Sequence, residues 1–190
     1  MQQALVSLPI NSSVKVGRQR LRIQQRLGNG AFGVVYKVKD EATSRVYALK
    51  DVLCLQDSAI RNAIREVETM KQISHENIIE VIGADQLRSD QGLHILIVTE
   101  YCPGGNLNER LSRPSTEALN SKWISQTASA LAFLHSRRVV HRDLKADNVL
   151  LTATEDAKLA DFGLAREYIA LVRTEVPRND GSWMTSYTQY

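Results

Sequence analysis

Cysteine, proline and aromatic residues are scarce in this 190-residue chain: two Cys, four Pro, and Phe, Trp and Tyr together only 6%. Cys54 and Cys102 stand far apart, with no Cys-x-x-Cys pair and no histidine at metal spacing. That argues against a disulfide scaffold or a zinc module and fits a reducing compartment. Charge of one sign is lacking as well. The 24 Lys+Arg against 21 Asp+Glu leave only +3, with no block of like charge, so neither nucleic acid nor an anionic membrane is expected as a main partner. The longest strongly apolar run, Ile95–Val98, is far too short to insert in a bilayer. Met1–Ile10 lacks the basic start and apolar stretch of a secretory signal. What is there is 43% hydrophobic and 24% charged residues, enough to bury a core as one domain or two small lobes. The expected class is a soluble intracellular globular protein, cytoplasmic with the nucleus as a second address.

No internal repeat or low-complexity tract is visible. Leu21, Ile23, Gln25 and Leu27 alternate imperfectly with Arg22, Gln24 and Arg26, as a half-buried strand would. Val34–Val38 and Val46–Leu49 flank the polar turn Asp40–Arg45 and complete an antiparallel meander. Asp57-Ser58 offers a helix N-cap, with Ile60, Ile64, Val67 and Met70 following at helical spacing. Ile78–Ile82 and His94–Thr99 are two further strands, which makes five strands and one helix. Pro103-Gly104-Gly105 is the sharpest break. Beyond it, Thr116 to His135 places Leu119, Trp123, Thr127, Ala130, Leu131 and Leu134 on one helical face. Residues 1–20 read as an irregular extension with an optional strand at Val14–Val16. Residues 165–190 read as a mobile polar loop. The fold class is α+β, with a lobe boundary near residue 102.

Gly28-Asn29-Gly30-Ala31-Phe32-Gly33 matches G-x-G-x-x-G, a weak signal alone, since a glycine turn in a hairpin has the same look. Val34–Val38 after it is a poor helix opening, which argues against a dinucleotide fingerprint, and Walker A needs a Gly-Lys-Ser/Thr that is missing. A glycine-rich hairpin whose amides lie over phosphates remains. Lys50 closes the next strand, where a lysine is ordinarily solvated. Glu66, on the helix that follows, lies at the edge of the face made by Ala63, Met70 and Ile73. From there it could reach Lys50 or stay a surface charge; Glu68 projects further from the apolar stripe. The run His141-Arg142-Asp143-Leu144-Lys145-Ala146-Asp147-Asn148 packs charged and imidazole groups between two apolar pieces, and Asp161-Phe162-Gly163 begins 18 residues after Asp143. Asp143, Asn148 and Asp161 supply oxygens suited to a hard divalent cation, plus a carboxylate able to orient a hydroxyl.

In order and spacing these four signals resemble the eukaryotic protein kinases, over roughly Leu21 to Tyr190. The resemblance implies a bilobal kinase-like fold. A five-stranded antiparallel lobe with one helix would span 21–102, and an incomplete helical lobe, 103–190, would end in the activation segment. It implies ATP and Mg²⁺ as cofactors. Gly28, Asn29, Gly30, Ala31, Phe32 and Gly33 would cover the phosphates, and Lys50 would bind them while pairing with Glu66. Leu27, Val35, Ala48 and Leu150 would sandwich the base, behind which Thr99 is the gatekeeper. Glu100 and Cys102 would offer hinge backbone to adenine. Asp143 would orient the substrate hydroxyl, and Asn148 with Asp161 would hold the metal.

Lys145 is the choice of the serine/threonine type, so the implied partner is a protein with a Ser or Thr acceptor. Arg142 before the catalytic aspartate implies an upstream kinase acting on the loop, with Thr174, Ser182, Thr185, Ser186 and Thr188 as acceptors. Thr188 also resembles a threonine that packs near the catalytic aspartate in this family, in which case its role is structural. Only 27 residues follow Gly163, so the family's Ala-Pro-Glu element and remaining helices are missing. The chain as written is therefore expected to be a fragment, inactive alone and prone to association through the uncovered 116–135 helix. The competing expectation is a truncated, non-catalytic kinase-like module that regulates by binding nucleotide or a partner.

Overall fold

The computed structural model describes residues 8–30, 33–163, 165–167, 171–177 and 183–189. Among the described residues the first half folds as six antiparallel strands and one helix. In chain order these are β1 (Ser13–Val16), β2 (Gln19–Gly30), β3 (Gly33–Asp40), β4 (Val46–Cys54), α1 (Asp57–Lys71), β5 (Val81–Ser89) and β6 (Gly92–Glu100). The sheet order is β1-β2-β3-β4-β6-β5. Period-2 alternation sorts the side chains onto two faces. Val34, Tyr36 and Val38 of β3 join Leu21, Ile23, Leu49, Leu96 and Val98 in one cluster. The other face carries Val52, Cys54, Ile95 and Ile97 under Ala63 and Val67 of α1. Lys50 shares parity with Val52, and so faces the helix rather than solvent; Val35 and Ile97 are its direct cross-strand partners.

Three expectations for this lobe are corrected. The sheet has six strands, not five. β1 pairs with β2 through Val14↔Leu21, Val16 is buried, and the Leu8 amide donates to the Tyr36 hydroxyl at 2.9 Å. The amide of Gly17 also reaches Asp85 Oδ2 at 2.9 Å, so residues 8–20 are built into the lobe. The expected strand Ile78–Ile82 is displaced to Val81–Ser89. Ile78 and Ile79 are drawn instead into the lower cluster, because the Leu159 amide donates to Asn77 O and the Ile79 amide to Leu159 O, at 2.8 and 2.9 Å. α1 begins at Asp57 with Gln56 as N-cap and no side-chain cap bond, so Asp57-Ser58 does not cap it. Its buried face turns to Ala63, Glu66, Val67 and Met70, and Ile64 is left 44% exposed.

The second half is built from α2 (Leu107–Arg110), α3 (Glu117–Ser136), β7 (Val139–Val140), a 3-10 turn (Ala146–Asn148), β8 (Val149–Leu151), β9 (Ala157–Leu159) and β10 (Arg166–Glu167). Thr116 caps α3 by accepting from the Leu119 amide, and Trp123, Ala130 and Leu134 bury its apolar stripe. The described residues beyond 165 are paired strands rather than a structureless loop. β10 pairs with β7, and β11 (Leu171–Pro177) pairs with β12 (Trp183–Gln189), with Thr174 opposite Ser186. Strand propensity carried by Val172, Thr174, Val176, Thr185 and Tyr187 accounts for this where no apolar alternation announced it.

Between the halves, the Pro103-Gly104-Gly105 break is bonded down onto β8. The Gly104 amide donates to Leu151 O at 2.9 Å, and the Leu151 amide to Gly105 O at 2.8 Å. A Cβ at Gly104 would lie 2.8 Å from both Leu151 Cβ and Leu151 O, closer than any side chain tolerates. Gly104→Ala is therefore expected to lower unfolding stability by about 1–3 kcal/mol in urea titrations. Gly28→Ala, where nothing lies within 4 Å of the added carbon, should stay within about 0.5 kcal/mol. Equal losses at the two glycines would contradict the close approach at the break.

Candidate functional site

A cleft of about 700 Å³ opens between the α1-facing side of the sheet and the lower half. Strand parity explains its ceiling: Val35, Ala48, Lys50, Ile97 and Thr99 sit on neighbouring strands with the same face outward. Leu27, Gly28 and Asn29 line it from β2, Glu100 and Cys102 form its edge, and Leu150 is its floor. Of the other expected residues, Glu66, Lys145, Asn148 and Asp161 also line the cleft.

Gly33 and Asp143 are not among the described lining residues. Ala31 and Phe32 lie outside the described residues. Gly33 has a packing reason of its own, since a Cβ there would come within 2.1 Å of Asp51 O on β4. Met70, Ile79, Tyr101, Asn106, Glu109, Asp147 and Ala160 line the cleft without having been picked out from the sequence. Ile97 was also missed, although its place two residues before Thr99 on one strand face could have revealed it. Asn106 and Glu109 carried no such signal.

Lys50 holds the centre. Its Nζ donates to Glu66 Oε1 at 2.8 Å and to Asp161 Oδ1 at 3.0 Å. Burial works to lower the lysine's pKa, but the attraction of Glu66 and then Asp161, with their hydrogen bonds, outweighs it and holds the ammonium above the ordinary lysine range. Glu66 is only 6% exposed, and that burial pushes its carboxyl up, partly offset by Lys50. Glu66 thus belongs to the buried face of α1 because its charge has a partner there.

The loop after β7 brings a second constellation together. Lys145 Nζ donates to Asp143 Oδ2 at 2.9 Å, and Asn148 Nδ2 donates to both Asp143 O and Asp143 Oδ2 at 2.8 Å. The hydrogen bonds from Lys145 and then Asn148 hold the Asp143 carboxyl below its usual range. His141 is fully enclosed and ties this loop to the next. Its Nδ1 accepts from the Asp143 amide at 3.3 Å, which leaves Nε2 to donate to Ala160 O at 3.0 Å. Burial depresses its pKa, so the ring stays neutral. Phe162 packs edge-on against it with ring centroids 5.0 Å apart and is buried in the lower cluster. Asp161, at φ 63°, is turned the other way, into the cleft.

Among the described residues no group of three or more His, Cys, Asp or Glu could cage a metal by itself. Asn148 spends its amide nitrogen on Asp143 and so presents its carbonyl oxygen, and Asp161 adds a carboxylate. Two hard oxygens fit a divalent cation that takes its remaining ligands from phosphate and water. Cys102 contributes a thiol rather than a thiolate, since burial pushes its pKa up to about 12.

Residues 21–185 match the family model of the protein kinase domain. The chain belongs to the protein kinase family. It is 40% identical over 142 residues, 73% of its length, to human serine/threonine-protein kinase 10. It is 32% identical over 173 residues, 86% of its length, to a probable serine/threonine-protein kinase of Dictyostelium discoideum. Over 154 residues, 78% of its length, it is 34% identical to serine/threonine-protein kinase Nek6 of Oryza sativa. The serine/threonine type expected from Lys145 agrees with these names. The chain spans 14%, 15% and 28% of those proteins' own lengths. Protein kinases in general use ATP with Mg²⁺ and act on proteins. No helix among the described residues of this kinase domain is long and apolar enough to cross a membrane.

The arrangement around Asp143 makes a measurable claim. A carboxyl depressed in the folded state adds stability above its unfolded pKa, and that contribution fades as pH falls through the folded value. Carboxyl ¹³C NMR should find Asp143 titrating below the ordinary aspartate value of 3.8, and Lys145→Ala should move the titration upward. Asp143 titrating at or above 3.8 in the unaltered protein would contradict the geometry.

Proposed function

We propose that the cleft binds ATP with Mg²⁺ and that the chain carries the phosphoryl-transfer site of a serine/threonine protein kinase. The observation that carries this reading is the Lys50 ammonium, buried in the cleft and held by one carboxylate from α1 and one from the Asp161 loop. A cation so placed meets phosphate oxygens without first having to be ordered.

In this reading Leu27, Val35, Ala48 and Leu150 enclose the base, with Thr99 behind it and the backbone of Glu100 and Cys102 at its edge. Gly28, Asn29, Gly30, Ala31, Phe32 and Gly33 cover the phosphates, and Lys50 binds them while Glu66 orients it. Asn148 and Asp161 hold Mg²⁺, which neutralises charge on the phosphates when bound. Asp143 acts at the acceptor. Its depressed pKa keeps it a carboxylate at neutral pH, so it accepts a hydrogen bond from the substrate hydroxyl and aligns that oxygen with the γ-phosphorus. As the new O–P bond forms and the bond to the β-phosphate oxygen breaks, the hydroxyl proton passes to Asp143. ADP is then left with the released oxygen. Lys145, beside Asp143, offsets charge on the phosphoryl group in transit.

The same reading gives the protein a Ser/Thr-bearing protein substrate and a cytoplasmic or nuclear setting. It also gives Arg142 a phosphate partner, placed by an upstream kinase on the segment that holds Thr174, Thr185, Ser186 and Thr188. Ser182 and Tyr190 lie outside the described residues.

Lys50→Met in the full-length protein that contains this chain should weaken Mg-ATP binding about tenfold or more in calorimetric titrations and remove peptide phosphorylation. Asp143→Asn should leave Mg-ATP binding within about threefold while turnover falls at least a thousandfold. Near-normal peptide phosphorylation by either variant contradicts the assigned roles.

A further inference from the structure

Lys158 is not among the described residues that line the cleft. It lies in the middle of β9, directly across the strand pair from Leu150 on the floor of the cleft. Its Nζ donates to Glu100 Oε1 at 2.7 Å. The same oxygen accepts the Glu80 amide at 2.9 Å, and the Glu100 amide donates to Glu80 O at 3.0 Å. On the cleft side the Thr99 hydroxyl donates to Glu100 O at 3.2 Å. One carboxylate thus gathers the end of β6, the chain entering β5, and β9.

The Lys158 and Glu100 side chains are 17% and 26% exposed, so water screens this pair far less than a surface ion pair. β9 is also bonded to Asn77–Ile79, the segment that leads from α1 towards β5, and it reaches Asp161 only three residues after Lys158. A short and fully bonded path therefore joins the edge of the cleft, Glu100–Cys102, to the carboxylate that faces Lys50.

We propose that Lys158 is a positioning residue for the nucleotide. Through the Glu100 carboxylate its ammonium fixes the base-binding edge of the cleft at one spacing from Asp161, so that base and phosphates are met together. The inference rests on the reading of the cleft as an ATP site. Loss of the ammonium leaves a half-buried carboxylate without its cation, and the edge is then free to shift toward water. Lys158→Arg keeps a cation in reach of Glu100 and should retain function. The phosphate end, held by Lys50, lies outside this effect.

Calorimetric titration of the protein with Mg-ATP, and separately with Mg-tripolyphosphate, tests the proposal because the second ligand has no base. Lys158→Met is expected to weaken Mg-ATP about five- to tenfold and leave tripolyphosphate within about twofold, with Lys158→Arg restoring most of the loss. Glu100→Gln should give a similar loss, and the double variant Glu100→Gln/Lys158→Met should be no worse than either single change. A general loss of folding would weaken both ligands alike, and that result overturns the proposal. So does Mg-ATP binding that is unchanged in both Lys158→Met and Glu100→Gln. No saturable binding of Mg-ATP by the unaltered protein would instead bring down the ATP reading itself, and this inference with it.

Discussion

One buried cation organises this chain. Lys50 could not be taken out of water alone, because an unpaired ammonium in a cleft loses several kcal/mol of hydration. Two carboxylates compensate, and they come from different parts of the chain: Glu66 from the helix above and Asp161 from the loop below. The elements that carry them must therefore approach to hydrogen-bond distance, which sets the rotation of α1 and turns Asp161 toward the cleft. Glu66 is itself buried only because Lys50 is there. A lysine raised in this way stabilises the folded protein below its unfolded pKa and ceases to do so as pH rises through the folded value.

The same rule governs the remaining buried polar groups. Asp40 is met by Gln19 and by the amides of Ala42 and Thr43, Asn77 by the carbonyl of Ala157, and Asp51 by His94. Among the described residues no fully enclosed side-chain nitrogen or oxygen lacks a partner. His141 shows how such satisfaction becomes positioning. Its two ring nitrogens are used by the Asp143 amide and the Ala160 carbonyl, so the loop that carries Asp143 and the loop that carries Asp161 share one rigid connector. Catalysis by alignment and electrostatics needs such connectors more than it needs reactive groups.

The glycine loop, Lys50, Glu66, the Asp143 loop and Asp161 could be read in the sequence because each is a local pattern whose spacing restricts its chemistry. Their meeting in space could not be read from any one of them. Glu66 illustrates the gap: helical periodicity placed it at the edge of an apolar stripe, and only the partner on β4 decides that it turns inward. Ile78 and Ile79 looked like strand residues since they are β-branched and consecutive, yet a ladder to Leu159, eighty residues on, claims them for the lower cluster. β5 was displaced because as an exposed edge strand it shows almost no alternation. The extra strand at Ser13–Val16 depends on pairing with β2, and the strands beyond 170 depend on each other. Tertiary partners decided these cases, and such partners leave little trace in a local window. Lys158 is the same lesson in reverse. Its position before Asp161 gave no hint of the Glu100 carboxylate beneath the edge of the cleft.

The most direct test is the ionisation of Lys50 itself, followed by NMR of its Cε and Nζ resonances through an alkaline titration. The ammonium should persist above the ordinary lysine value of 10.5, and Glu66→Gln should bring the titration down. A Lys50 that loses its proton at or below 10.5 in the unaltered protein would show that the two carboxylates do not hold it, and would contradict the central claim.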